Sequence, residues 1–239
     1  MDLREYLEFA AQTAHEAGRL TLGYFRTGEM RTDFKPDDTP VTAADRQAER
    51  LIRARIGAKY PGHTVVEEEY GAEEGTDASH RWIVDPIDGT KAFARGVPLY
   101  GVLIGLEIEG TWEIGAAYFP ALDEMIYAAT GEGCYCNGRR TRVSSAETLE
   151  GGILSFADAA TFEKRGREEA FRRLRGAAGR VELMLDPVMN PWDCAPFPPI
   201  LREAGGYFGD WSGNQTIQAG EALSTPSTLL PEVLRLIEG

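Results

Sequence analysis

Two aspartates end a short apolar run at residues 82–88, which spells Trp-Ile-Val-Asp-Pro-Ile-Asp. The β-branched residues of the run predict a buried strand that delivers Asp85 and Asp88 at its end. Two carboxylates are costly to bury unless a positive group lies between them, and Mg²⁺ suits oxygen ligands at this spacing. The backbone N–H groups of Gly89 and Thr90 can then bind an anion. The stretch therefore predicts a metal site beside a phosphate site, and hence phosphoryl chemistry.

The same stretch also has a purely structural interpretation. Asp-Pro-x-Asp-Gly is common turn chemistry, because proline fixes φ and glycine accepts a positive φ. Taken alone, the string leaves the turn and the phosphate site open. The other acids of the chain have to decide between them.

Further carboxylates lie where other elements begin or end. Thr42 and Asp45 form a capping-box pattern at the start of a helix predicted to run to about Tyr60. Asp193 lies near the start of a helix predicted from about Trp192 to Ala204. Either aspartate is a good helix cap, and either is also placed to orient a water or to bind a metal.

Three consecutive glutamates end a strand that begins at about Thr64. Such a run is usually a solvated strand edge. Because side chains alternate along a strand, one of Glu67, Glu68 and Glu69 should point inward. A carboxylate-ended strand beside another carboxylate-ended strand predicts a metal site.

Hydrophobic periodicity predicts the elements that position these residues. A helix at 3–25, capped by Asp2, precedes a loop or loose hairpin at 26–40; Lys35 in this loop is a cation near the expected phosphate or a solvated lysine. The remaining elements predicted are antiparallel strands between 97 and 136, a short strand at 141–143, strands at 152–156 and 181–185, and helices at 162–174 and 229–237. The pattern predicts an N-terminal α+β lobe at 1–145 with most metal ligands and a C-terminal α/β lobe at 146–239 with Asp193.

Composition excludes several classes of partner. The formal net charge of −13 argues against a nucleic-acid backbone or an anionic membrane as the main partner. It also repels a phosphorylated substrate, so a phosphate site would need a metal to reverse the local field. Three cysteines give no disulfide framework, and the chain shows neither a signal peptide nor a run of transmembrane length. These features predict a cytoplasmic protein.

Four separated stretches together resemble the inositol monophosphatase superfamily. They are Val41-Thr42-x-x-Asp45, Glu68-Glu69, Asp85-Pro86-Ile87-Asp88-Gly89-Thr90, and Trp192-Asp193 with Glu203-Ala204-Gly205-Gly206. Further details are more similar to the histidinol-phosphatase branch than to true inositol phosphatases. Those details are Lys91, Arg95-Gly96-Val97-Pro98, the stretch from Asp186 to Asp193, and Gly209-Asp210-Trp211-x-Gly213.

The resemblance implies an αβαβα layered sandwich, Mg²⁺-dependent hydrolysis of a phosphomonoester, most simply L-histidinol phosphate, and a homodimer. The positions that match the family's metal ligands are Glu68, Asp85, Asp88, Asp193 and the carbonyl of Ile87. Asp45 and Thr90 match the pair that orients the attacking water, and Glu68 counts with them as catalytic. Substrate contacts are implied for Gly89 and Thr90 through their N–H groups, for Asp186 with the organic part, and for Asp193. Lys35 corresponds loosely to a family lysine near the site.

The chain departs from the family pattern at three places. Glu67 stands where a glycine is usual, which adds charge near the metals, and Ala92 replaces a common asparagine. A Gly/Cys/Tyr-rich stretch before Val181 is reduced here to residues 175–180. Two alternatives therefore stay open: an inositol-1-phosphatase or broader phosphatase, and a metal- or phosphate-binding protein that has lost turnover.

Overall fold

The protein is described by a computed structural model that covers residues 2–27, 32–34, 40–67, 71–73, 75–150, 152–156, 158–177 and 180–239. The helices of these residues are α1 (Leu3–Leu22), α2 (Ala43–Lys59), α3 (Thr90–Ala94), α4 (Ala159–Lys164), α5 (Glu168–Ala177), α6 (Pro191–Cys194), α7 (Phe197–Ala204) and α8 (Leu230–Glu238). The strands are β1 (Thr32–Phe34), β2 (Pro40–Thr42), β3 (His63–Glu67), β4 (Gly71–Glu73), β5 (Asp77–Asp88), β6 (Gly101–Ile108), β7 (Thr111–Phe119), β8 (Glu124–Ala129), β9 (Gly133–Cys136), β10 (Arg139–Arg140), β11 (Gly152–Phe156), β12 (Arg180–Asp186), β13 (Gly206–Gly209) and β14 (Ala222–Pro226).

Helices and sheets alternate in five layers. The large sheet has the strand order β10-β9-β8-β7-β6-β5-β3-β4, and one of its faces packs against α1 and α2. Its other face packs against α6 and α7, which in turn contact the small sheet of order β11-β12-β14-β13. Helices α4, α5 and α8 cover the far face of the small sheet. The predicted αβαβα sandwich is confirmed.

The first two helices form as the sequence predicts. In α1 the residues Leu7, Ala10, Ala14 and Ala17 are buried, which makes an apolar stripe of helical spacing toward the sheet. The side chain of Asp2 accepts from the N–H of Arg4 and caps this helix.

No helix of the described ranges is long and apolar enough to cross a membrane.

A pair of glycines lets the α6–α7 turn lie directly on the large sheet. Gly105 of β6 and Gly115 of β7 are register partners. An ideal Cβ on Gly105 would lie 2.6 Å from the carbonyl oxygen of Ala195, and one on Gly115 would lie 2.0 Å from that of Pro196. Because backbone atoms cannot rotate away, only glycine permits this contact, and it fixes the height of α6 above the sheet.

Two helices predicted as continuous are each broken by a residue that does not suit a helix. Gly166 has φ +68° and separates α4 from α5, which replaces the single helix predicted at 162–174. Pro196 follows the last turn of α6 and precedes Phe197 of α7, so the helix predicted from Trp192 to Ala204 is also divided.

The strand predictions need three corrections. The segment between the strand predicted from about Thr64 and the strand predicted at 82–88 contains β4 and the start of β5, which were not predicted. Asn137 and Gly138 both have positive φ and make a two-residue hairpin turn, so the next strand is β10 rather than the one predicted at 141–143. Strands β13 and β14 were not predicted. The division into lobes at residue 145 stays a prediction.

Replacing Gly115 with alanine tests the close contact of α6–α7 with the sheet. We expect Gly115→Ala to lower the free energy of unfolding by about 1–3 kcal/mol, because the new methyl group collides with the Pro196 backbone. Gly57 lies within α2 and has no atom within 4 Å of an ideal Cβ, so Gly57→Ala should instead stabilise the protein by about 0.5–1 kcal/mol. Urea unfolding of both variants checks this, and a Gly115→Ala protein as stable as the parent would contradict it.

Candidate functional site

Three carboxylates converge where β5 ends beneath α6. Asp85, Asp88 and Asp193 each offer one oxygen, and these oxygens all lie within 4.8 Å of one another. Asp85 is 1% exposed, and its Oδ1 accepts from the N–H of Ile87 at 3.0 Å. The sequence predicted these acids as metal ligands, and the fold brings all three together.

A bulge in β5 puts Asp85 and Asp88 on the same side of the sheet. In a regular strand, residues three positions apart point to opposite faces. Asp85 pairs with Leu103 and Asp88 pairs with Gly101, so β5 advances three residues where β6 advances two. The extra residue turns the second aspartate back toward the first.

Asn190 fixes the third carboxylate. Its backbone N–H and its side-chain Nδ2 donate to Oδ2 of Asp193 at 2.8 and 3.1 Å. Burial raises the pKa of Asp193 and the charge of Asp186 adds to this, whereas the bonds from Asn190 act in the opposite direction. Three crowded carboxylates stay ionised together only when a cation offsets their repulsion.

The donor atoms of this cluster suit a hard divalent cation. All of them are carboxylate oxygens, which Mg²⁺ and Ca²⁺ prefer. A second group of potential ligands, His63, Asp77 and His80, also has donor atoms within 4.8 Å of one another.

The histidine group is a poor fit for a metal ion. The rings of His63 and His80 stack with centroids 4.3 Å apart and planes 15° apart, so they cannot both direct a lone pair at one ion. The indole N–H of Trp82 donates to His63 Nδ1 at 3.0 Å, and Asp77 Oδ2 lies 2.8 Å from His80 Nδ1. Among the described residues, the carboxylate cluster is therefore the better metal centre.

Thr90 and Asp45 meet beside the carboxylate cluster, as the sequence predicted. The hydroxyl of Thr90 lies 3.0 Å from the carbonyl oxygen of Ile87 and 3.4 Å from Asp45 Oδ1. The other carboxylate oxygen of Asp45 accepts from the N–H and the hydroxyl of Thr42, at 2.8 and 2.5 Å. The predicted capping box is present, and it leaves Oδ1 of this buried aspartate directed at Thr90.

Gly89 makes the turn that follows the two aspartates. Its φ is +83°, and an ideal Cβ would lie 2.9 Å from the carbonyl oxygen of Leu99. Only glycine adopts this conformation at this contact without strain. The turn starts α3 at Thr90, two residues after Asp88, so the first N–H groups of α3 follow the cluster closely along the chain.

Glu67 does not join the cluster, although we expected it to add charge there. It is 1% exposed and forms an ion pair with Arg53 of α2. Val65, on the same face of β3, packs in the core beneath α1 and α2. The extra acid therefore lies on the helix-covered side and is neutralised there. Glu68, Glu69 and Lys35 lie outside the described residues.

Asp186 ends β12, and its Oδ1 accepts from the N–H of Val188 at 2.9 Å. Burial raises the pKa of this carboxyl group.

The role of Asn190 in holding Asp193 was missed by sequence reasoning. Asn190-Pro191 before Trp192-Asp193 is a helix-start pattern with proline at the first position, and this signal could have identified it.

Comparisons with known proteins agree with this fold. The model of the inositol monophosphatase family matches residues 2–238. A histidinol-phosphatase of Chlorobaculum parvum is 40% identical over 234 residues, which cover 91% of this chain and 90% of that protein. The Nus factor SuhB of Pasteurella multocida is 32% identical over 97% of this chain and 95% of its own length. The structure of an inositol monophosphatase from Anabaena superposes with a TM-score of 0.86 and 26% identity, over 100% of this chain and 97% of that one.

Thermal unfolding with and without Mg²⁺ tests whether the carboxylate cluster binds a cation. An ion that binds only the native state raises Tm, so we expect Mg²⁺ to stabilise the parent protein. Asp88→Asn should abolish this response and should raise Tm in the absence of metal, because it removes one of three repelling charges.

Asp77→Asn is the matched control, since it makes the same change in the histidine group. It should leave the Mg²⁺ response intact. An undiminished response in Asp88→Asn, or a response lost only in Asp77→Asn, would contradict the assignment of the metal centre.

Proposed function

The chain belongs to the inositol monophosphatase family, and on that premise we propose that it is a Mg²⁺-dependent phosphatase acting on L-histidinol phosphate. Family membership makes it a phosphomonoester hydrolase. The observation that carries the proposal is the convergence of Asp85, Asp88 and Asp193 beside the Thr90–Asp45 pair. The choice of substrate is supported by the 40% identity to a histidinol-phosphatase.

We assign the metal ligands from the donor set of the site. Mg²⁺ would be held by Asp85, Asp88, Asp193 and the carbonyl oxygen of Ile87, with Glu68 as a further ligand from outside the described residues. The Ile87 carbonyl has two lone pairs, so its bond from Thr90 does not prevent a second interaction. When bound, the ion supplies positive charge that lowers the pKa of a water and neutralises the phosphate.

Thr90 and Asp45 are assigned to the attacking water. The single hydroxyl hydrogen of Thr90 is within reach of both the Ile87 carbonyl oxygen and Asp45 Oδ1. In the reaction it would be donated to Asp45 Oδ1, while the hydroxyl oxygen accepts a hydrogen bond from the attacking water. Because Thr42 occupies the other carboxylate oxygen, Oδ1 is the atom that takes up the proton through Thr90. The capping box holds this acceptor in place before the substrate arrives, so little reorganisation is needed during the reaction.

We assign the phosphate and the organic part of the substrate to different residues beside the cluster. The N–H groups of Gly89 and Thr90 would contact the phosphate at the start of α3. Asp186 would contact the organic part, where its carboxylate suits the amino group of histidinol. Asp193 would adjoin both parts, since it belongs to the cluster and lies close enough to Asp186 for the two charges to interact.

Two other proteins that this chain resembles support an alternative substrate. Similarity to an inositol monophosphatase and to a Nus factor SuhB keeps an inositol ester, or a broader set of phosphomonoesters, as the second candidate. A binding protein without turnover is a third, and the intact set of acids at Asp45, Asp85, Asp88 and Asp193 argues against it. We further propose a cytoplasmic homodimer; Cys134, Cys136 and Cys194 form no disulfide, which suits that location.

Phosphate release from L-histidinol phosphate and from inositol 1-phosphate, each with and without Mg²⁺, tests the proposal. We expect Mg²⁺-dependent turnover of histidinol phosphate and little of the inositol ester. Asp186→Asn should raise KM for histidinol phosphate about ten-fold, because it removes a charge-assisted hydrogen bond worth about 1.4 kcal/mol or more.

Each result separates the candidates. Turnover of the inositol ester alone would replace the proposed substrate, and turnover of both would make the enzyme a broader phosphatase. No release from either ester would contradict the proposed activity. An unchanged KM in Asp186→Asn would remove that residue from the substrate site.

A further inference from the structure

A groove opens beside the carboxylate cluster, between three segments of the C-terminal half. The turn between α4 and α5 contributes Arg167, and the segment before β14 contributes Gly220 and Glu221. The third wall is the segment at 187–190, which leads into α6. The N–H of Met189 donates to the carbonyl oxygen of Gly220 at 3.0 Å and joins two of these walls.

Asn190 links this groove to the metal centre. It lines the groove and also donates both of its N–H groups to Asp193. A substrate whose phosphate lies at the carboxylates therefore has the groove directly available for its organic part. Val188 and Met189 make this wall apolar.

Arg167 is held rigidly in the groove wall. Its Nη2 donates to both carboxylate oxygens of Glu221, at 2.9 and 2.8 Å. Its guanidinium carbon lies 5.1 Å from the centre of the Trp211 ring, and Trp211 is itself 2% exposed and anchored by an indole N–H bond to Ala222. Trp211 does not line the groove, whereas Arg167 does, so the guanidinium lies between the indole and the groove.

This arrangement presents a fixed planar cation to whatever occupies the groove. A guanidinium stacks on flat π-systems, which a lysine ammonium cannot do. Because Glu221 and Trp211 already hold the Arg167 side chain in place, a ligand that binds it loses little affinity to ordering of this side chain. Saturated rings such as that of inositol have no π-face to stack on it. The groove thus favours a planar heteroaromatic group next to the scissile phosphate.

We infer that Arg167 is a specificity-determining residue that stacks on the imidazole ring of the substrate. This inference rests on the proposed function, because it takes histidinol phosphate as the substrate. It adds a ring-binding subsite to the site formed by the carboxylates, Thr90 and Asp186.

Product inhibition of Arg167→Lys tests the subsite separately from catalysis. Lysine keeps the charge and can still pair with Glu221, but it has no planar face. In the histidinol phosphate assay, we expect the inhibition constant of L-histidinol to rise about five-fold, in the range of a stacking contact between planar groups, which lysine cannot make. The inhibition constant of inorganic phosphate should not change, because phosphate binds at the carboxylates.

Arg142→Lys is the matched control, since Arg142 is exposed and lies outside the groove; it should change neither constant. An unchanged histidinol constant in Arg167→Lys would overturn the inference while leaving the proposed substrate in place. A parallel rise of both constants, or a large fall in Tm, would indicate a structural role and would also overturn it. Absence of turnover in the parent enzyme would instead refute the proposed function.

Discussion

Mutual repulsion among three crowded carboxylates is the constraint on which the rest of the structure depends. Asp85, Asp88 and Asp193 bring their oxygens within 4.8 Å of one another; Asp85 is buried and the other two are partly buried. An arrangement of this kind is unfavourable without a cation, so the fold has to hold it against its own electrostatics. Three local devices do so: the bulge in β5 turns Asp88 beside Asp85, Asn190 holds Asp193 with two hydrogen bonds, and Gly105 and Gly115 seat α6–α7 on the sheet. Each device lies within the five-layer packing, which holds it in place.

The two faces of the large sheet differ in how their acidic side chains are paired. On the face covered by α1 and α2, buried Glu67 is paired with Arg53 and contributes no free charge to the site. On the opposite face the acids converge, and the groove beside them is lined by Arg165 and by Arg167, which is itself paired with Glu221. A chain with a net charge of −13 therefore keeps one strongly negative place for a cation and a phosphate, with a guanidinium at its side.

Much of the fold followed from patterns that act locally. The stripe from Leu7 to Ala17, the Thr42 capping box and the apolar run before Asp85 each specify an element through nearby residues alone. The errors arose where tertiary contact or backbone geometry decides. Alternation in a regular strand would have put Asp85 and Asp88 on opposite faces, and the bulge that prevents this depends on pairing with β6. The edge strand β13 and its inner neighbour β14 gain their stability from contacts with α7 and β12, which single-sequence periodicity does not reveal. The candidate site residues were identified by a joint pattern of separated acids, whereas Asn190 and Arg167 became apparent only from their contacts.

The most direct test of the account is anomalous diffraction from crystals soaked in Mn²⁺, which replaces Mg²⁺ at oxygen sites and can be located by its own absorption edge. We expect an anomalous peak bounded by Asp85, Asp88 and Asp193, and its loss in Asp88→Asn crystals. A peak at His63, Asp77 and His80 instead, or no peak at the carboxylates, would contradict the claim that the structure is organised around a metal centre.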